Sequence, residues 1–401
     1  MDTTIAEIPA HVPLELVVDA NIYALPGGDK DPQQAWKALD IPGNPGFVWS
    51  PYNGGHWIIT SAEMLWELFP DLDRLSAKDI AIPPGDGPLK FIPNESDEPE
   101  HHYYRKIILP FVTPKTVRGL MDQVRSLSVE LIEGFRERGS CEFMTEFARH
   151  VPMRIFLSLV NLPLEDREWL VGLADSVVRP SSEAERAESY SKMAGYLQTW
   201  IARRRAEPGS DLLSAIVHGK VGERPMNELE VLGESMDVMF GGLDTVASMM
   251  GFIMKFLATN PGHYRQLVEN PAKITFAVEE MLRRHGVANS GRRVVRDVES
   301  QGYKMQAGDM LVLATCMHGL DEKRWENPLV VDFDRPRSTH CTFGNGVHNC
   351  PGAGLARSEI AIMLEEWIAH IPEFGLDPDQ HFVAATGAVN GVIKLPLVWP
   401  K

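Results

Sequence analysis

Cysteine is scarce in this chain. Its 401 residues include four, Cys141, Cys316, Cys341 and Cys350, with no Cys-x-x-Cys pair and no cysteine/histidine cluster at zinc spacing. A disulfide framework and a structural zinc site are therefore not expected, and three of the four thiols should be small buried hydrophobes. Positive charge is also short. Thirty-nine Lys and Arg stand against 55 Asp and Glu, a formal net charge of −16. Such a field argues against nucleic acid and anionic membranes as partners, although it leaves room for a local basic patch that docks an acidic protein. No stretch approaches twenty uninterrupted apolar residues, so no membrane span is expected. The first seventeen residues carry acids and prolines and no long apolar run, so no signal peptide is expected and the cytoplasm is the default address. Internal repeats and low-complexity tracts are absent too.

What is present is a mostly helical pattern. The first hundred residues are rich in Pro and Gly, with strand-like runs at Gly46–Ser50 and His56–Thr60. Pro99 opens a helix with Glu100 in its first turn. Helical periodicity follows through roughly 116–136, 141–161, 164–178, 183–206 and 210–217, broken at Gly139, Pro163, Pro180 and Pro208. The longest candidate starts at the capping pair Asn227 and Glu230 and ends at Asn260-Pro261. Its centre, Val238 to Leu257, is apolar on nearly all faces and predicts a buried helix. Further helices are expected from Pro271 to His285 and from Ala353 to about His370, with strands at Arg293–Arg296 and Met310–Thr315. The tail from His381 to Trp399 reads as one or two hairpins. The class is mainly α with minor β.

The residues that carry chemistry gather in a few places. Phe343-Gly-Asn-Gly-Val-His-Asn-Cys350-Pro-Gly352 puts one cysteine in a glycine-rich loop just before a helix. A helix start there aims free N–H groups and a positive dipole end at the sulfur, which favours thiolate over thiol. Gly344, Gly346 and Gly352 let the loop turn and let a flat partner approach, as thiolate ligation of haem requires. Gly241-Gly242-Leu243-Asp244-Thr245 lies in the middle of the long helix, and each glycine there costs about 1 kcal/mol relative to alanine. Close helix packing would explain that cost, and Thr245 could simply bond the carbonyl one turn back. Glu280 and Arg283 lie three apart on one helix face, as do His101 and Arg105 at a spacing of four. Each pair by itself reads equally as a solvated surface pair.

Together these motifs resemble the cytochrome P450 family, nearest to its soluble bacterial camphor-hydroxylating members. The resemblance covers nearly the whole chain and includes Phe91-Ile92-Pro93, Gly241–Val246, Glu279–Arg284 and Leu395–Trp399. It implies a single domain over 1–401, with haem b held between the long central helix and the cysteine-loop helix. It implies Cys350 as the iron ligand, with His101, Arg105, Arg292 and His348 on the haem propionates. Gly241 and Gly242 would open a groove for O2, and Asp244 and Thr245 would relay protons. The implied activity is monooxygenation with electrons from a [2Fe–2S] ferredoxin served by a flavin-dependent NADH reductase. The implied state is a monomer.

The expected substrate pocket departs from the camphor-binding pattern. Leu89 stands where a hydrogen-bonding tyrosine is usual, Phe240 and Asp237 replace a valine and a leucine, and Ser290 replaces a propionate-binding aspartate. Ala288 and Ala388 are smaller than their counterparts, and Gly241 and Val389 complete the expected lining. These residues imply a small hydrophobic substrate of terpenoid or norisoprenoid size, with camphor disfavoured. A camphor-type ketone hydroxylase and a haem-thiolate sensor or carrier without turnover remain as alternatives. Arg105, Arg337 and Arg357 are candidates for a ferredoxin-docking patch, and the segment around 80–95 and the helices near 180–195 are candidates for the substrate entrance.

Overall fold

The computed structural model describes residues 5–85, 87–178, 182–336 and 339–400. Among them run helices α1 (Pro32–Lys37), α2 (Ala62–Leu68), α3 (Glu100–Ile108), α4 (Pro114–Arg136), α5 (His150–Leu159), α6 (Arg167–Val178) and α7 (Glu183–Ala206). The series continues with α8 (Leu212–Val217), α9 (Glu228–Thr259), α10 (Pro261–Glu269), α11 (Ile274–Arg284), α12 (Thr315–Leu320) and α13 (Ala353–His370). The strands are short. The chain divides into two compact units, each assembled from three segments.

One unit comprises Met1–Asp86, Phe252–Cys350 and Pro378–Leu395. Its centre is a five-stranded sheet in the order Phe47–Ser50, His56–Ile59, Met310–Ala314, Asn289–Val294, Leu75–Ser76. The second and third of these strands pair parallel, with Ile58 opposite Val312, and the other pairs are antiparallel. Trp36, Phe47, Trp57, Ile58, Leu311 and Leu313 fill the core beneath it. Each such side chain contributes about 1.5–3 kcal/mol by leaving water.

The other unit comprises Gly87–Gly251, Pro351–Asp377 and Pro396–Lys401. Here α4 packs along α13, and Arg125 reaches across to both Glu365 and Glu366. Trp367 of α13 sits in an aromatic cluster with Phe135, Phe143, Phe147, Phe374 and Trp399. A second core joins α5, α7, α8 and the first half of α9 through Met153, Leu197, Leu213, Met236 and Met239.

Helix α9 is capped as expected: Asn227 Oδ1 accepts from Glu230 N at 3.0 Å, and Glu230 Oε2 accepts from Asn227 N at 2.7 Å. By length and composition α9 could cross a membrane, with a mean hydropathy of 1.2, yet 56% of that window is buried inside the fold. It is the core helix that its pattern predicts.

Several boundaries differ from expectation. The helix expected over 141–161 starts at His150, because Ser140–Glu142 is a strand that pairs with Pro396–Val398 and one π-helical turn follows at Met144–Ala148. A partner strand more than 250 residues away in sequence overrides local helical periodicity. The strand expected at 293–296 runs instead over Asn289–Val294, set by its ladder to Met310–Ala314. Helices α1, α2, α10 and α12 were not anticipated. Their signals are local: Asp31 and Ser61 cap α1 and α2 by accepting from Gln34 N and Met64 N, and the Pro261 that stops α9 is the first residue of α10.

Candidate active site

In the unit that holds α3, α7, α9 and α13, the expected residues of α9 fall on one stripe. Asp237, Phe240, Gly241, Asp244 and Thr245 follow helical spacing. The middle of this stripe is open in an otherwise buried helix. Gly241 and Gly242 are exposed, Asp244 and Thr245 half-buried, and the flanking Leu243 and Val246 buried. A methyl group on either glycine would meet nothing within 4 Å, so close packing does not explain them. Thr245 Oγ1 donates to Gly241 O at 3.0 Å, which commits its proton and leaves its lone pairs to accept.

Leu89 lies against the same helix one turn earlier. A Cβ at Gly233 would fall 2.1 Å from Lys90 O and 3.6 Å from a Leu89 methyl, so only glycine admits this segment. Phe240 stacks on Tyr190 of α7 with ring centroids 6.2 Å apart, and Phe91 meets both rings edge-on. The 80–95 segment and α7 therefore meet on α9 through three aromatic side chains. Of the residues in those two segments, 86 and 179–181 lie outside the described residues.

The acids here are unusual. Asp237 is 9% exposed, and burial pushes its carboxyl up to about 8, against the pull of a 2.8 Å hydrogen bond from Asn94 Nδ2 to Oδ1. Glu95 reinforces the rise and Arg105 opposes it. Glu234 is fully buried, neither carboxylate oxygen has a hydrogen-bond partner among the described residues, and burial raises it well above the usual range. On α3, His101 is buried with Nδ1 3.2 Å from Glu98, and Arg105 follows one turn later, half-buried.

In the other unit, Ala288 and Val389 are bridged as antiparallel partners, and Asn289 N donates to Ala388 O at 2.9 Å. A buried amide network holds this corner: Asn289 Nδ2 donates to Gly387 O and Asn390 Oδ1, which also accepts from Trp36 Nε1. Arg292 sits on the strand that follows Ala288, with Nη1 donating to Ser290 Oγ at 2.6 Å and Gly291 O at 2.7 Å. Ser290 thus orients the guanidinium beside it.

The cysteine loop belongs to this unit as well. Gly344 and Gly346 both have φ of +74°, and a Cβ at Gly346 would lie 2.7 Å from Pro70, so these two glycines are required. Gly352 is different: its φ of −82° suits any residue, and it serves as the N-cap of α13. Cys350 N closes the loop on Phe343 O at 2.8 Å, and His348 ends the turn Gly346–His348. Cys141, Cys316 and Cys341 are buried, and burial pushes their thiols up, the last two to about 12. Cys350 alone of the four is half-buried.

Glu280 and Arg283 form a buried core rather than a surface pair. Arg283 is 1% exposed and forks onto both oxygens of Glu280 at 2.8 Å. Its remaining donors reach Gly319 O, Pro328 O and Val330 O, while Glu280 also accepts from Asp332 N and Arg335 Nε. Arg335, like Asn94, Gly233 and Tyr190, escaped the sequence reading, since only the folded chain brings it to its partner. Arg357 is half-buried on α13 with Nη1 3.3 Å from Ala353 O, and Arg337 lies outside the described residues.

Comparison with known proteins agrees on one family. The family model for cytochrome P450 matches residues 180–380. The protein named "Probable cytochrome P450 127A1" of Sinorhizobium fredii is 32% identical over 98% of this chain and 97% of its own length. The vitamin D3 dihydroxylase of Streptomyces griseolus is 26% identical over 86% of this chain and 87% of its own. Among solved structures, cytochrome P450 CYP101C1 superposes with a TM-score of 0.90 at 39% identity, covering 98% of this chain and all of the other. CYP101J2 does so with a TM-score of 0.89 at 36% identity, covering 99% of this chain and all of the other.

Proposed function

The chain belongs to the cytochrome P450 family and is a monooxygenase whose cofactor is haem b bound through a cysteine thiolate, and we propose that Cys350 is that ligand. One observation carries the assignment. Three cysteines are buried and held as thiols, whereas Cys350 is half-buried in a loop closed by two obligatory glycines, three residues before α13 begins.

The residues present suit haem. A soft sulfur donor fits iron, and in the unit that carries Cys350 the side chains of Arg292 and His348 offer the cationic and hydrogen-bonding groups that a propionate needs. On α3 of the other unit Arg105 and His101 offer groups of the same kind. Gly241 and Gly242 leave a face of α9 with no side chain to obstruct it. When bound, haem supplies O2 activation, so that one oxygen atom enters a C–H bond and the other leaves as water. The chain's own part is protons and position. Asp244 and Thr245 stand on the open stretch of α9, where the lone pairs of Thr245 Oγ1 accept from a water or a protonated oxygen and Asp244 supplies the proton. Arg292 is pre-oriented by Ser290 to fork onto a carboxylate.

The substrate we assign is a small hydrophobic molecule of terpenoid or norisoprenoid size. Leu89, Phe240 and Gly241 in one unit support it by offering apolar surface that Phe91 and Tyr190 extend with rings, and Ala288, Ala388 and Val389 in the other unit offer small apolar side chains of their own. The family uses a redox partner with O2; the likeness to the two CYP101 structures supports a [2Fe–2S] ferredoxin served by a flavin-dependent NADH reductase. The acidic chain works as a cytoplasmic monomer, with 1–401 as one functional domain, and engages neither nucleic acid nor membrane. Titrating a terpenoid panel against the ferric protein and assaying product with NADH, reductase and ferredoxin tests this. Spin-state shifts with product support the reading, and spin-state shifts without product from any substrate overturn it in favour of a sensor or carrier.

A further inference from the structure

We propose that Asp237 is the polar anchor of the substrate site: a neutral carboxylic acid that donates its O–H to a carbonyl oxygen on an otherwise hydrophobic substrate. This rests on the monooxygenase reading above and narrows its substrate class to ketones.

The placement comes first. Asp237 lies one turn before Gly241 and two before Thr245, on the stripe of α9 that opens at the glycines. Its neighbours are apolar. Phe240 follows three residues on, packed with Phe91 and Tyr190, and Leu89 beside the helix has no donor to offer. A polar substrate atom in this setting needs a protein partner, because a buried acceptor left unmet loses its bond to water without replacement.

The orientation comes second. Asn94 Nδ2 donates to Asp237 Oδ1 at 2.8 Å. That bond occupies Oδ1 as an acceptor, and the Asn94 backbone N–H also bonds the carboxyl, so Oδ2 is the oxygen left to carry a proton and donate. The charges around it favour that protonated state. Burial holds the carboxyl near 8, and Glu95 opposes a further negative charge. The nearby Glu234 is itself raised well above the usual carboxylate range by burial, so it brings no cation to reverse this. Arg105 pulls the other way and does not prevail. Glu95 itself is engaged by Phe91 N and Lys90. Burial and Glu95 raise Tyr190 to about 12, so its hydroxyl keeps its proton and is a competing donor to be tested.

The sign of the pH effect follows. Below about 8 Asp237 is neutral and donates; above it the carboxylate repels a carbonyl oxygen. Ketone binding should therefore weaken as pH rises through 8, while binding of a hydrocarbon should not.

The experiment uses the haem-loaded protein and two probes: a norisoprenoid ketone and the same skeleton with CH2 in place of C=O. Affinity is read from the low-to-high-spin shift. The wild type should bind the ketone about tenfold more tightly at pH 7. Asp237→Leu should abolish that preference, Asp237→Asn, which keeps an amide donor, should retain most of it, and Tyr190→Phe should leave it intact. An unchanged preference in Asp237→Leu, or its loss in Tyr190→Phe, would overturn the proposal. Should Asp237→Leu not take up haem, the pH series on the wild type decides, and a flat ketone affinity from pH 6 to pH 9 refutes the anchor. A wild type that takes up no haem at all would instead overturn the underlying monooxygenase reading.

Discussion

Helices α11 and α9 both bury carboxyl groups, and they treat them in opposite ways. Glu280 on α11 accepts from Arg283 twice, from Arg335 and from a backbone N–H. Asp237 on α9 is met only by Asn94, through its side-chain amide and its backbone N–H, and Glu234 has no hydrogen-bond partner among the described residues. A fully partnered acid works as a clamp, here tying α11 to α12 at Gly319 and to the loop at Pro328 and Val330. A poorly partnered acid is held neutral by burial, and its proton becomes available for recognition or transfer. Cost and use differ accordingly: the clamp is exposed to loss of a partner, the neutral acids to a rise in pH.

Breaking the clamp should have the largest effect. Arg283→Ala leaves Glu280 buried without its bidentate partner and should cost about 3–5 kcal/mol of stability, measured by denaturant unfolding. A loss below about 1 kcal/mol would mean that the clamp is ornamental. The next effect belongs to Glu359 on α13, which is 2% exposed and raised to about 8 by burial alone. Its folded-state pKa lies above the unfolded value, so its contribution is complete below about 4.5 and is lost as pH climbs toward 8. The Glu359 share of wild-type stability should therefore fall by about 2 kcal/mol between pH 5 and pH 7, and Glu359→Gln should reduce the pH slope by that amount. Equal slopes would show that Glu359 ionises freely in the fold.

Smaller effects sharpen the other side of the comparison. Thr245→Ala should still consume NADH but divert electrons to peroxide, lowering product per NADH by about tenfold; unchanged yield would remove Thr245 from the proton path. Leu89→Tyr adds a donor to the apolar face and should strengthen binding of a bicyclic ketone by about fivefold, seen as a larger spin-state shift. No change, or weaker binding, would mean that Leu89 does not face the substrate.

The features legible in the sequence are those whose physics is local. The cysteine loop, the Asn227–Glu230 capping box, the mid-helix Gly-Gly-Leu-Asp-Thr stretch and the α13 boundaries each lie within a few turns of chain, and all are in place. Glu280 and Arg283 were visible as a pair, but their burial was not, because it depends on carbonyls near 319 and 328–330 and on Arg335. The strand at Ser140–Glu142 was misread as helix because its partner is the C-terminal segment. Asn94 and Tyr190 were missed for the same reason: nothing near them in sequence announces Asp237 or Phe240. Long-range partners decide which acid is a clamp and which is a reagent, and a single sequence carries no local trace of them.

The central claim is that Cys350, and not one of the three buried thiols, is the iron ligand. The direct measurement is the absorption of the reduced, CO-bound protein for the wild type, Cys350→Ala and Cys341→Ala. The wild type and Cys341→Ala should show the red-shifted Soret band of thiolate ligation, and Cys350→Ala should lose it. A red-shifted band that survives in Cys350→Ala would contradict the assignment.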